Sequence, residues 1–194
     1  MVPIKSLTFY LNPRIPFNFM SNALSTITTL VLVGTAGEPI INPSTPEFPA
    51  LLHLSLINTV PDYIPPFISR HSQQLISLHL SFPTTVSSHA LMGGYIFTNL
   101  PSLQSLTLNS WSLIMRFPRT IGSIPKLSHI GIYEGQTGKS PSLFELTYAL
   151  EDLVPDSPSL KFIRVMKGVS SRELINGLAA FLKEHRAGFR IEEV

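Results

Sequence analysis

The sequence predicts an α/β fold, a curved solenoid whose strands stack into one parallel sheet of about seven strands. Three observations carry this expectation. A short apolar pattern returns seven times, it returns at a near-constant step, and turn residues or helical periodicity fill the intervals. In each copy an apolar residue is followed by two variable ones, a second apolar residue, one variable residue and a third apolar residue. The copies are Ile4/Leu7/Phe9, Ile27/Leu30/Leu32, Leu51/Leu54/Leu56, Leu75/Leu78/Leu80, Leu103/Leu106/Leu108, Leu127/Ile130/Ile132 and Leu160/Ile163/Val165. Their central residues lie 23, 24, 24, 28, 24 and 33 positions apart. A single copy would mean little, because apolar alternation occurs in any half-buried strand.

Self-similarity at roughly 20–29 residues around an LxxLxL core is the signature of a leucine-rich repeat. Residues 1–194 then form a single domain, one repeat array. The chain opens inside a repeat, so the pattern predicts part of a longer array whose N-terminal cap is missing, since solenoid ends need covering.

Composition narrows the function. Charged residues make up 13% of the chain and the net charge is +2, with Lys and Arg scattered, so no field favours nucleic acid. Cysteine is absent, which removes disulfides and thiolate metal sites. Asn42 precedes Pro43, which blocks the N-x-S/T match there. These features predict a cytoplasmic or nuclear protein. The N-terminus lacks a signal-peptide pattern, and no apolar run approaches the ~18–20 residues that span a bilayer.

Taken in order, the first strand ends at Asn12, where the consensus asparagine of this repeat would bond backbone groups of the following turn. Later copies place Thr35, Thr59, Pro83, Trp111, Gly135 and Gly168 there, so no asparagine ladder is expected. Gly34 to Glu47 reads as a Gly/Pro-rich loop. Pro61 to Gln74 carries Tyr63, Ile64, Phe67 and Ile68 at helical spacing, with helix expected only after Pro65 and Pro66. In Phe117 to Ile132, Ile121, Ile124 and Leu127 should line the core. Ser142-x-x-Glu145 and Ser170-x-x-Glu173 are capping boxes that open two late helices, and Phe189 to Val194 suits a final edge strand.

Alternation along each strand sends the apolar residues to the core and the residues between them to the opposite, concave face. At a strand spacing of about 4.8 Å, seven strands build a face on the order of 30 Å long. The candidate protein-binding residues on it are Tyr10, His53, His79, Asn109, His129, Tyr133, Phe162 and Arg164. Aromatic and arginine anchors on a face of small uncharged residues suit a polypeptide partner.

Chemistry finds little footing. Tyr133 to Ser140, Y-E-G-Q-T-G-K-S, approaches the phosphate-binding pattern G-x-x-x-x-G-K-[ST], with Lys139 to reach phosphates and Ser140 to hold magnesium. Tyr133 stands where the first glycine permits the tight wrap, and Pro141 follows at once, so a polar insertion is the simpler reading. His53 and His79 would stand on neighbouring strands, offset by two residues, without a third metal ligand nearby. No G-x-S-x-G elbow is present. The expectation is therefore a non-enzyme without a cofactor.

The phrases F-P-A-L-L-H-L-S-L, L-P-S-L-Q-S-L-T-L and S-P-S-L-K-F-I-R-V resemble the C-terminal repeats of fungal F-box proteins, whose strands begin with a Pro just ahead of LxxLxL. The likeness runs over nearly the whole chain. It implies substrate recognition for a cullin-type ubiquitin ligase, although the helical F-box of about 45 residues that precedes the repeats in that family does not appear in this sequence. The expected function is non-catalytic protein binding through the concave face. The alternatives are a nucleotide-binding switch at residues 133–140 and a structural fragment with no partner of its own.

Overall fold

A computed structural model describes residues 3–10, 24–34, 47–58, 64–81, 99–109, 124–133, 147, 150, 158–165, 176, 177, 179, 180, 183 and 190–193. They form one all-parallel sheet of eight strands in sequence order. The strands are β1 (Ser6–Tyr10), β2 (Thr29–Val33), β3 (His53–Ile57), β4 (Ser77–Ser81), β5 (Ser105–Asn109), β6 (His129–Tyr133), β7 (Phe162–Val165) and β8 (Arg190–Glu193). The first seven coincide with the seven copies of the apolar pattern. β8 falls within the expected edge segment at 189–194 and brings the sheet to eight strands rather than about seven.

Register follows the repeat. Leu7, Leu30, Leu54, Leu78, Leu106, Ile130 and Ile163 are opposite one another in turn. From Leu30 to Ile163 these central residues are at most 1% exposed. Each buried side chain of this kind contributes about 1.5–3 kcal/mol relative to an exposed one. At the β1 end Leu7 and Phe9 are only partly buried, and Ile4 is exposed.

Two backbone devices recur along the sheet, the first ahead of four strands and the second at each step from β1 to β7. The first is a turn that delivers the chain into the strand. The N–H of Ile27, Leu51, Leu103 and Leu127 donates to the carbonyl of Leu24, Phe48, Leu100 and Ile124 respectively, at 3.0–3.3 Å. In three of these turns proline occupies the second position (Pro49, Pro101, Pro125), where its fixed φ suits a tight turn and its missing N–H costs nothing. The residue that opens each turn is itself buried. This is the physical reason for the Pro just ahead of LxxLxL. The second device is a shared acceptor. The carbonyl of Lys5 accepts from the N–H groups of Thr28 and Thr29, and Thr28, Leu52, Ile76, Gln104 and Ser128 repeat the arrangement toward the next copy, at 2.8–3.1 Å.

Between β3 and β4 the chain forms helix α1 (Ile64–His71). It starts before Pro65 and Pro66 rather than after them. Both prolines lie in the first turn, where backbone N–H groups have no intrahelical acceptor to lose. The helix closes through Leu75 N–H to the His71 carbonyl, which replaces the proline turn in this repeat. Phe67, Ile68 and His71 are buried, while Arg70 is exposed. Asn58, just past β3, holds φ at 54°, a left-handed conformation that asparagine tolerates.

Ile124, Leu127 and Leu150 are buried in the core as the pattern requires. Asn176, Ala179, Ala180 and Lys183 are helical and exposed. Ile121, both capping boxes and the consensus turn positions from Asn12 to Gly168 lie outside the described residues. No helix among the described residues is long and apolar enough to cross a membrane.

Among the described residues, His71 is the one charged-capable group set deep in this packing. Its ring meets Phe67 edge-on at 4.9 Å and lies 6.2 Å from Phe48. Gln74 Nε2 donates to the Phe48 carbonyl at 2.9 Å and approaches His71 Nδ1 at 3.4 Å. Nδ1 therefore acts as acceptor, and the proton of the neutral ring falls on Nε2, which has no hydrogen-bond partner among the described residues. Burial pushes the His71 pKa down; Glu47 opposes this and Arg70 adds to it.

Two predictions follow from the packing. Leu106→Ala should cost roughly 2–5 kcal/mol by urea unfolding, whereas Ser55→Ala on the opposite face should stay within about 0.5 kcal/mol. Because the folded chain holds His71 neutral, the unfolded chain binds more protons just below the ordinary histidine pKa. Stability should therefore fall as pH drops below about 6.5 and level off below the folded-state value. His71→Leu should flatten that part of the slope in melts recorded from pH 7.5 to 5.

Candidate functional site

The residues between the core positions line the second face of the sheet in three rows. The first row runs Ser6, Thr29, His53, Ser77, Ser105, His129, Phe162 and Arg190. The second runs Thr8, Val31, Ser55, His79, Thr107, Gly131, Arg164 and Glu192. Tyr10, Val33, Ile57 and Ser81 begin the third, which ends with Asn109 opposite Tyr133. All eight expected contact residues therefore belong to this face, but they do not form one cluster. Tyr10 on β1 is 81% exposed and stands five strand spacings, about 24 Å, from β6. His53 is exposed on β3 and opposite Ser77, not His79.

Two ring pairs gather on β4 to β7. Tyr133 reaches across β5, a span of about 10 Å between alternate strands, and its hydroxyl meets His79 Nε2 at 2.9 Å. The two rings are T-shaped with centroids 5.2 Å apart. Ser81 also hydrogen-bonds the phenol. Burial pushes the Tyr133 phenol above its ordinary value, with the Ser81 bond partly opposing, and burial pushes the His79 imidazole down. Both groups are therefore neutral at pH 7, and the contact is a hydrogen bond between uncharged partners. Asn109, the register partner of Tyr133, is buried at 2% exposure rather than presented on the surface.

The second pair is His129 and Phe162, neighbours in the first row. Their rings stack with centroids 5.1 Å apart and planes inclined by 22°. Ser128 Oγ lies 2.7 Å from His129 Nδ1 and 3.1 Å from the Gln104 carbonyl, which steers the imidazole from behind. His129 remains exposed and Phe162 half-buried, so this pair faces solvent.

At the second pair lies a groove of about 470 Å³, lined by Ser105, Thr107, His129, Ile130, Gly131, Phe162 and Arg164. Its cause is Gly131. In a row where every neighbour carries a side chain, the absent Cβ opens a slot down to the β6 backbone. Thr107 and Arg164 flank the slot, and the His129–Phe162 stack closes one end. His129, Phe162 and Arg164 were expected contact residues; Ser105, Thr107 and Gly131 join them because the register sets them around the gap. Glycine between two isoleucines in H-I-G-I was the available signal.

No group of three or more potential metal ligands occurs among the described residues. Gly135 to Ser140, with Lys139, lie outside them, as does Trp111.

Models of known families, curated proteins and solved structures were all compared with the chain. None matches.

Removing the phenol should show what the bridge does. Tyr133→Phe keeps the ring packing and should cost about 1 kcal/mol in chemical denaturation. Tyr133→Ala should also raise the His79 titration midpoint toward about 6.5, read from its imidazole proton resonances, and speed exchange of the Asn109 side-chain amide.

Proposed function

We propose that the chain is a leucine-rich repeat module that binds a polypeptide partner, without catalysis, through the second face of its sheet. The repeat reading is supported by seven LxxLxL copies whose central residues meet in one register and by the shared-acceptor device at each step. In such an array the second face is the concave, binding one.

One observation carries the functional reading. The face holds two preorganised aromatic pairs, His79–Tyr133 and His129–Phe162, and the second lines an open groove. Rings fixed by stacking or by a hydrogen bond have already lost their rotamer freedom, so they cost little further entropy when a partner arrives. Aromatic and arginine side chains are the usual anchors of protein interfaces. The resemblance to fungal F-box repeats extends the reading to substrate selection for a ubiquitin ligase.

The test is capture of partners by the tagged full chain expressed in cells, compared with a His129→Ala/Phe162→Ala/Arg164→Ala variant. All three residues lie on the face and away from the core, so the variant should fold, which circular dichroism checks. A partner captured by wild type should fall at least about tenfold in the variant, a loss typical of removing interface anchors. Cullin-type ligase subunits in the wild-type set would support the F-box reading. Identical sets from both chains would overturn the binding-face reading.

A further inference from the structure

We propose that the Gly131 groove receives a carboxylate side chain from an extended, acidic segment of the partner. The inference rests on the binding-face reading and assigns its chemistry.

Charge gives the first argument. The described residues of β5 to β7 and the turns leading into them include Lys126, Lys161 and Arg164, and no acid. Lys126 and Lys161 are exposed at the entrances to β6 and β7, and Arg164 is exposed on the groove wall. The neighbouring strand β8 adds Arg190 and two acids, Glu192 beside Arg164 and Glu193, so four basic residues stand against two acidic ones and this end of the face still favours negative charge.

Donor chemistry gives the second. The groove offers the Arg164 guanidinium and the hydroxyls of Ser105 and Thr107, with no carboxylate in its lining. A guanidinium presents five N–H donors in a planar fork, so Arg164 can accept a carboxylate although it is already engaged within the chain. Phosphate recognition ordinarily draws on clustered arginines or on backbone N–H groups at a helix N-terminus. One guanidinium beside two hydroxyls matches the single charge of a carboxylate.

Shape gives the third. Thr107 and Arg164 stand two strand spacings apart, about 10 Å, with only Gly131 between them. That slot admits one extended chain or one side chain at the level of the sheet backbone. Phe162, held against His129, supplies an apolar surface for the methylenes of a glutamate.

The experiment uses the full chain labelled with ¹⁵N and three twelve-residue peptides: alternating Glu and Gly, its Gln counterpart and its phosphoserine counterpart. With the Glu peptide, the amides of Thr107, Gly131 and Arg164 should shift together and saturate. Arg164→Gln should weaken that titration on the order of tenfold, and Gly131→Val should abolish it. Glu192 is the register partner of Arg164 on β8. Removing that negative charge with Glu192→Gln should tighten the Glu peptide about twofold or more; an unchanged or weaker titration counts against the proposal. Preserved amide spectra establish that each variant folds.

Equal shifts from the Glu and Gln peptides would overturn the acidic assignment and leave the binding face standing. Tighter binding of the phosphoserine peptide would overturn the choice of carboxylate. Absence of groove shifts with all three peptides would overturn the inference. The binding-face reading would then stand or fall on partner capture alone.

Discussion

Each repeat hands one carbonyl to the next, and that carbonyl takes two N–H donors at once. The acceptor sits at the residue just before the strand, from Lys5 through Ser128, and the donors are the equivalent residue and its successor one repeat later. Sharing one acceptor between consecutive N–H groups leaves a neighbouring strand little freedom to slip. The consequence is large, because a slip of one residue would send every leucine of that strand to the opposite face. Core and surface are therefore assigned together. Wherever the central leucine is buried, the residues on either side of it must face away, and the rows follow from that.

Within the rows, β6 sets the character of the face. Two of its outward positions do opposite things. Gly131 contributes no side chain and opens a slot to the backbone, while Tyr133, two residues later, extends a ring across β5 to His79. The first creates a recess and the second builds a bridge across the neighbouring strand. Because both belong to one strand in one register, the recess ends where the bridge begins. Neither His79 nor Tyr133 needs charge to hold the bridge. Its strength comes from ring packing and a neutral hydrogen bond, which salt screens far less than an ion pair.

The strands were legible because apolar spacing of this kind admits only one set of inward residues, and the proline turns were legible because a fixed φ suits one position of a tight turn. What lay beyond the sequence depended on reach. Asn109 has the position of a surface contact, yet it is buried beside Tyr133 of the next strand, and nothing local to L-T-L-N encodes that. Nothing local marks His71, the last residue of α1, as buried, but Phe48, 23 positions earlier, and Phe67 enclose it. The start of α1 misled in another way. Pro65 and Pro66 look like barriers until they are placed in the first turn, where they break no hydrogen bond. Tyr10, by contrast, has the right type and the right face, but stands too far along the sheet to join the groove.

The three histidines described in detail separate by burial rather than by sequence context. His71 is enclosed by phenylalanines and its Nε2 has no partner among the described residues, so protonation would set a charge against apolar rings and strain the packing of α1 on the sheet. His79 is half-buried and hydrogen-bonded, so its loss of solvent is partly offset by the tyrosine hydroxyl. His129 lies in the open, where its stack on Phe162 organises an aromatic surface without removing the imidazole from water. Enclosure at β3 and β4 thus places the burden of neutrality on the core, and openness at β6 and β7 leaves polar chemistry at the surface. The groove lies at the open end of that gradient, beside the exposed Arg164, Lys126 and Lys161. The face is apolar at Val31, Val33 and Ile57 but cationic at β6 and β7, so the extended partner proposed for it would be oriented by sign as well as by shape.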